Sequence, residues 1–184
     1  MIEIKNIQGE VIYSADVANI KQAVKKAVKE GANLTYADLK GIDLIGVNLK
    51  GVNLQGVNLF GSLLIGANLQ GASLCSANLR GADLTCCNLR SACLWLVDLI
   101  DAKLIKTDLI GADFDEAKLI GAVFCFSNFY NTAFQNSDLQ DADLRFTPLK
   151  GGDFYHANLK NAKILEYDFN TGTNANISEA IIEG

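Results

Sequence analysis

Residues 46–61 read GVNLKGVNLQGVNLFG, in which glycine and leucine each return every five residues. Neither regular element has that period. On an α-helix, positions five apart are separated by about 5 × 100°, so the leucines would spiral around the cylinder and form no stripe. On a straight strand five is an odd step, so successive leucines would point to opposite faces and one-sided burial would fail. The useful spacing is two. A short extended piece places residues two apart on the same side, and the other three residues turn a corner. Glycine suits such a corner because it adopts φ > 0 freely, and Asn or Asp because its side chain bonds to nearby backbone.

Outward from this stretch, every fifth residue from Leu34 to Phe169 is Leu, Phe or Ile, which makes (169 − 34)/5 + 1 = 28 units in register. A small or β-branched residue, most often Ala, stands two before nearly every one of these centres, Tyr167 being the exception, and Asn or Asp stands one before most. Stacked coils should share residue types, and large rings recur at multiples of twenty: Phe114, Phe134 and Phe154 in one column, Phe129 and Phe169 in another. Asn48, Asn68, Asn88 and Asn128 make a third column, as expected of an amide ladder. Four units therefore make one coil. The pattern predicts an all-β solenoid, a β-helix of about seven coils and roughly 34 Å in length at the ~4.8 Å spacing of adjacent strands.

The segments ANLTYADLKG, GANLQGASL, SANLRGADL and GADFDEAKL resemble the A(D/N)LXX motif of the pentapeptide repeat proteins, and the likeness covers about three quarters of the chain. It implies a right-handed quadrilateral β-helix with the centre and Ala positions inward and the other three positions outward. The organisation expected is a β-hairpin and capping α-helix over 1–31, the β-helix over 32–170, and an out-of-register final coil over 171–184.

Solenoids need covered ends. In SADVANIKQAVKKAVKEG, Val17, Ile20, Val24, Ala27 and Val28 form one helical stripe, with Ser14 or Asp16 to cap its start and Gly31 to end it. Before it, β-rich runs flank Gln8-Gly9 and predict a hairpin. At the other end no polar cap follows the frame break at NTGTN. Phe169, Ile177 and Ile182 would stand exposed there, which predicts an end-to-end homodimer.

Chemistry is sparse. The single histidine, His156, falls at an outward turn position, and Cys125 lies in a different twenty-residue column, so no catalytic residue is assigned. Cys75, Cys86, Cys87, Cys93 and Cys125 form no CxxC pair, no two share a column, and they are read as reduced; no metal site or cofactor is assigned. Asp113, Asp115 and Glu116 lack EF-hand spacing and read as a solvated turn. With 16 Lys+Arg against 21 Asp+Glu and no basic stripe, direct nucleic-acid binding is not expected. Neither a signal sequence nor a membrane-spanning run is legible, so the localisation expected is cytoplasmic.

What stands out is an outer surface that turns bulky and apolar along the chain: Trp95, Leu96, Ile100, Ile105, Ile110, Ile120, Phe126 and Tyr130 are the candidate partner-binding patch. These features point to a non-catalytic interaction protein, a rigid rod presenting side chains to a macromolecular protein partner. The family resemblance implies an alternative, a DNA mimic of the quinolone-resistance type that engages DNA gyrase. Against it, lysines interrupt the acidic columns at Lys103 and Lys118, and a net charge of −5 is far weaker than a duplex's one charge per ~1.7 Å.

Overall fold

The computed structural model of the chain describes residues 1–166 and 180–183. The elements run β1 (Ile2–Lys5), β2 (Val11–Ala15), α1 (Ile20–Lys29), β3 (Lys163–Leu165) and β4 (Ile181–Glu183). From α1 to β3 the chain contains isolated parallel bridges between residues twenty apart rather than long strands, as in Asn48↔Asn68↔Asn88↔Asp108↔Asn128. Four such columns run along the stack. We number its faces by their inward centres: face 1 carries Leu34 to Phe154, face 2 Leu39 to Leu159, face 3 Leu44 to Ile164 and face 4 Leu49 to Leu149, each at intervals of twenty.

The backbone explains why five residues make a side. In the unit 82–86, Ala82 N–H closes a tight turn on Leu79 C=O at 3.0 Å, Asp83 N–H donates back to Ser62 C=O at 3.0 Å, and Leu84 N–H donates forward to Lys103 C=O at 2.7 Å. Cys86 N–H reaches Ile105 C=O at 2.9 Å. The remaining donor, Thr85 N–H, is taken by the carboxylate of Asp83 at 3.0 Å. Every N–H of the unit is thereby satisfied, and the Asn/Asp before the centre has a specific duty that the backbone alone cannot fulfil.

Each centre from Leu34 to Ile164 is at most 1 % exposed, and these residues join the inward Ala positions in one continuous core. The leucines of the first coils give way to Phe114, Phe124, Phe129, Phe134 and Phe154. On face 1 the rings of Phe114, Phe134 and Phe154 stack at 5.1 and 4.9 Å, within 11° and 6° of parallel. Hydroxyls that replace the inward Ala find carbonyl acceptors: Thr132 Oγ1 donates to Leu109 C=O and Thr147 Oγ1 to Phe124 C=O of the preceding coil, both at 2.8 Å, while Ser62 and Ser137 donate to the carbonyls three residues back, Leu59 and Phe134, at 2.8 and 2.7 Å. A buried hydroxyl is tolerated because it is paired.

β1 and β2 form an antiparallel hairpin with Ile2 opposite Ala15 and Ile4 opposite Tyr13. The helix begins later than the sequence suggests. Ala15 belongs to β2, so neither Ser14 nor Asp16 caps α1; Asn19 does, its side chain accepting Gln22 N–H at 3.0 Å. Gly31, at φ +70°, ends it: Ala32 N–H reaches Ala27 C=O and Gly31 N–H reaches Val28 C=O, the paired bonds of a Schellman motif. Ala23, Val24 and Ala27 are fully buried in the same core as Leu34 and Leu39. At the C-terminal end β4 pairs in parallel with β3, and Ile182 stands opposite Ile164. Phe169 and Ile177 lie outside the described residues, as does the side chain of Ile182, and with them the expected dimer end.

Candidate interaction surface

The eight residues of the expected patch are distributed over the whole circumference. Trp95 stands on face 1 and Leu96 at its corner, Ile100 and Ile120 on face 2, Ile105 on face 3 with Phe126 at its corner, and Ile110 and Tyr130 on face 4. The bridge columns bring together Ile100 with Ile120, and Ile110 with Tyr130, as neighbours in adjacent coils. Faces 2 and 4 are opposite sides of the stack, so these two pairs look in opposite directions. Trp95 is 42 % exposed, Phe126 55 % and Tyr130 59 %, whereas the four isoleucines are half-buried between their neighbours.

The corner positions separate the residues further. Backbone φ at the second residue after the centre is positive at every unit from Tyr36 to Asn161, which costs glycine little and a bulky side chain about 1–2 kcal/mol. Leu96, Phe126 and Phe146 nevertheless hold φ of 56°, 63° and 61°. Phe126 and Phe146 occupy successive corners with rings 4.8 Å apart and 5° from parallel, facing solvent. The spacing of twenty that places Phe146 over Phe126 in sequence is the spacing at which their rings stack.

Face 1 also collects charge. Ala133 replaces the Asn/Asp that would take Gln135 N–H, and Asp115 of the preceding coil accepts it instead at 2.9 Å. Gln135 Nε2 in turn donates to Asp153 at 2.7 Å. Burial, followed by the carboxylates of Asp113, Asp153 and Glu116, pushes Asp115 above its ordinary value of 3.8, with the Gln135 N–H acting in the opposite sense. The folded state thus holds this proton more tightly than the unfolded chain, and ionisation costs stability as pH rises through the folded-state value. Asp115→Asn, which keeps the acceptor, is expected to stabilise the chain at pH 7 by up to about 1 kcal/mol. Urea melts at pH 7 and pH 3 check this: the gain should vanish at pH 3, and an equal gain at both would refute the electrostatic cause.

His156 packs on Tyr155, with ring centroids 4.0 Å apart. Burial raises the Cys87 thiol to about 12 and the Cys125 thiol to about 11, conditions that suppress thiolate chemistry. Among the described residues no group of three or more His, Cys, Asp or Glu is placed to hold a metal, and no helix is long and apolar enough to cross a membrane. The expectation of reduced cysteines is corrected at one pair: Cys75 and Cys93 form a disulfide. The two are eighteen apart, so they share no column of twenty.

The family model for pentapeptide repeats matches residues 30–64, 62–94, 96–129 and 127–164, in eight copies. The chain is a pentapeptide repeat protein. This pentapeptide repeat protein is similar in structure to HetL, involved in heterocyst differentiation regulation in the cyanobacterium Nostoc sp. strain PCC 7120, with a TM-score of 0.60 and 23 % identity over 89 % of this chain and 84 % of that one. Rfr23 from the cyanobacterium Cyanothece 51142 gives a TM-score of 0.46 at 22 % identity, covering 77 % and 91 %. QnrB1, a plasmid-mediated fluoroquinolone resistance protein, gives 0.38 at 16 %, covering 80 % and 78 %. At these identities the likeness to HetL speaks for the fold alone. A comparison with curated protein sequences yields no match.

Proposed function

We propose that this pentapeptide repeat protein is a non-catalytic interaction module, a rigid rod that presents its outer faces to a macromolecular protein partner. The right-handed winding of the family and closure of the first coil by α1 and the hairpin belong to this reading. The observation that carries it is the strained corner: Leu96, Phe126 and Phe146 keep exposed apolar side chains in left-handed backbone, where Gly, Asn or Asp would be unstrained. Polar corners such as Lys106 and Glu116 share this backbone, so what contact with a partner would account for is the large apolar side chains exposed at these three.

The duplex-mimic reading gains nothing from the outer charges. Arg80 lies 3.9 Å from Asp98 and Arg90 3.0 Å from Asp108, while Arg145 engages Asp143 and Lys21 engages Asp43. These cations offset the carboxylates that a mimic of the phosphate backbone would leave uncompensated. The test is a Phe126→Asn/Phe146→Asn chain, since asparagine accepts φ > 0. It should keep its circular dichroism spectrum and lose a protein that cross-links to the wild-type rod in cells of its source. If the double variant retains the same cross-linked proteins in equal yield, the reading fails.

A further inference from the structure

A single diagonal recurs on the outside of the stack. The residue after one centre meets the residue before the centre of the next coil, eighteen positions on: Arg90 meets Asp108 at 3.0 Å and Gln135 meets Asp153 at 2.7 Å. Cys75 and Cys93 occupy this diagonal on face 1, with Cα atoms 5.9 Å apart. That separation lies within the range a disulfide bridges without moving the backbone. Both units give up the Asn/Asp that elsewhere binds the following N–H, Ser73 and Cys93 standing in its place. A cysteine there adds nothing to the core, because the position faces outward.

We propose that Cys75 and Cys93 form a reversible disulfide, a thiol–disulfide exchange site whose reaction partner is a dithiol reductant. Both cysteines are half-exposed, open to an attacking thiolate. Attack on one Sγ breaks the S–S bond, leaving a mixed disulfide and one protein thiol. The second thiol of the reductant then displaces the protein sulfur, so the reductant departs as its own disulfide and both cysteines end protonated. Opening the bond leaves the rungs beside it intact: Leu74 N–H to Cys93 C=O at 2.7 Å, Cys93 N–H to Ala72 C=O at 3.0 Å and Ser76 N–H to Trp95 C=O at 2.9 Å. The rod therefore stays folded while losing a cross-link.

The chain is equilibrated with mixtures of reduced and oxidised dithiothreitol, trapped by alkylation, and mapped by mass spectrometry. Residues 75 and 93 should gain label together in one two-electron step, with the midpoint of thermal unfolding falling by roughly 6–12 °C. Fluorescence of Trp95, the only tryptophan and in the coil stacked on Cys75, should rise as its disulfide quencher opens. Cys75→Ser should abolish both changes and Cys86→Ser neither. Full labelling of residues 75 and 93 at the oxidising end would overturn the proposal, as would a folded chain that resists labelling at the reducing end. The labelling uses wild-type protein, so it decides the matter even if a serine variant fails to fold.

Discussion

Phe134→Ala is expected to destabilise the chain by about 3–5 kcal/mol, the range for removing a buried ring. Phe134 is fully buried, stacked between Phe114 and Phe154, and met edge-on by Phe124 and Phe129, with ring centroids at 6.0 and 4.8 Å. Its loss leaves a void bordered by four rings that are fixed by coils above and below, so little can collapse into it. Because each coil touches only its neighbours, the damage should be regional. Hydrogen exchange should accelerate at amides such as Leu119 N–H and Leu139 N–H while Leu44 N–H and Leu49 N–H keep their protection. Uniform acceleration along the chain would show instead that the stack unfolds as one cooperative unit.

Val24→Asp should have a comparable effect at the opposite end. Val24 is fully buried in the core shared by α1 and the first leucines. Among the described residues, Lys21 is engaged by Asp43 at 3.0 Å and Lys26 lies 3.7 Å from Glu30, so neither is free to meet a new buried carboxylate. An unpaired charge at such a site costs several kcal/mol, more than a ten-residue helix gains by itself, so α1 should undock. Helical ellipticity at 222 nm should fall and the exposed first coil should self-associate, raising light scattering. A variant that stays monomeric and keeps its helical signal would remove α1 from the role of end cover.

The pentad made the core legible to the residue, because the centre is buried in every described unit regardless of what lies outside. The column of Phe114, Phe134 and Phe154 was readable for the same reason: stacking at a fixed interval leaves a mark in sequence. Local competition was harder to see. Asp16 looks like a helix cap, but hairpin pairing claims Ala15 and moves the start of α1 to Ile20, behind Asn19. Diagonal contacts were invisible to a search along columns, which is how Cys75 and Cys93 escaped notice. The outer patch is legible only as pairs twenty apart, because five residues onward means a different side of the stack.

The donor pattern of the unit 82–86 has a consequence for how such a chain can change length. Each rung is addressed by an offset of about one full coil, so position along the chain behaves as a phase. Insertion of twenty residues adds a complete cycle and returns every later side chain to its original face. Insertion of five also keeps every centre inward, yet it advances everything downstream by a quarter cycle. Made between α1 and Phe126, either change would keep the corners Phe126 and Phe146 as a pair, but the second would turn them to a new direction relative to α1. The interior thus counts in fives and the exterior in twenties, which lets the surface be re-aimed while the core stays the same.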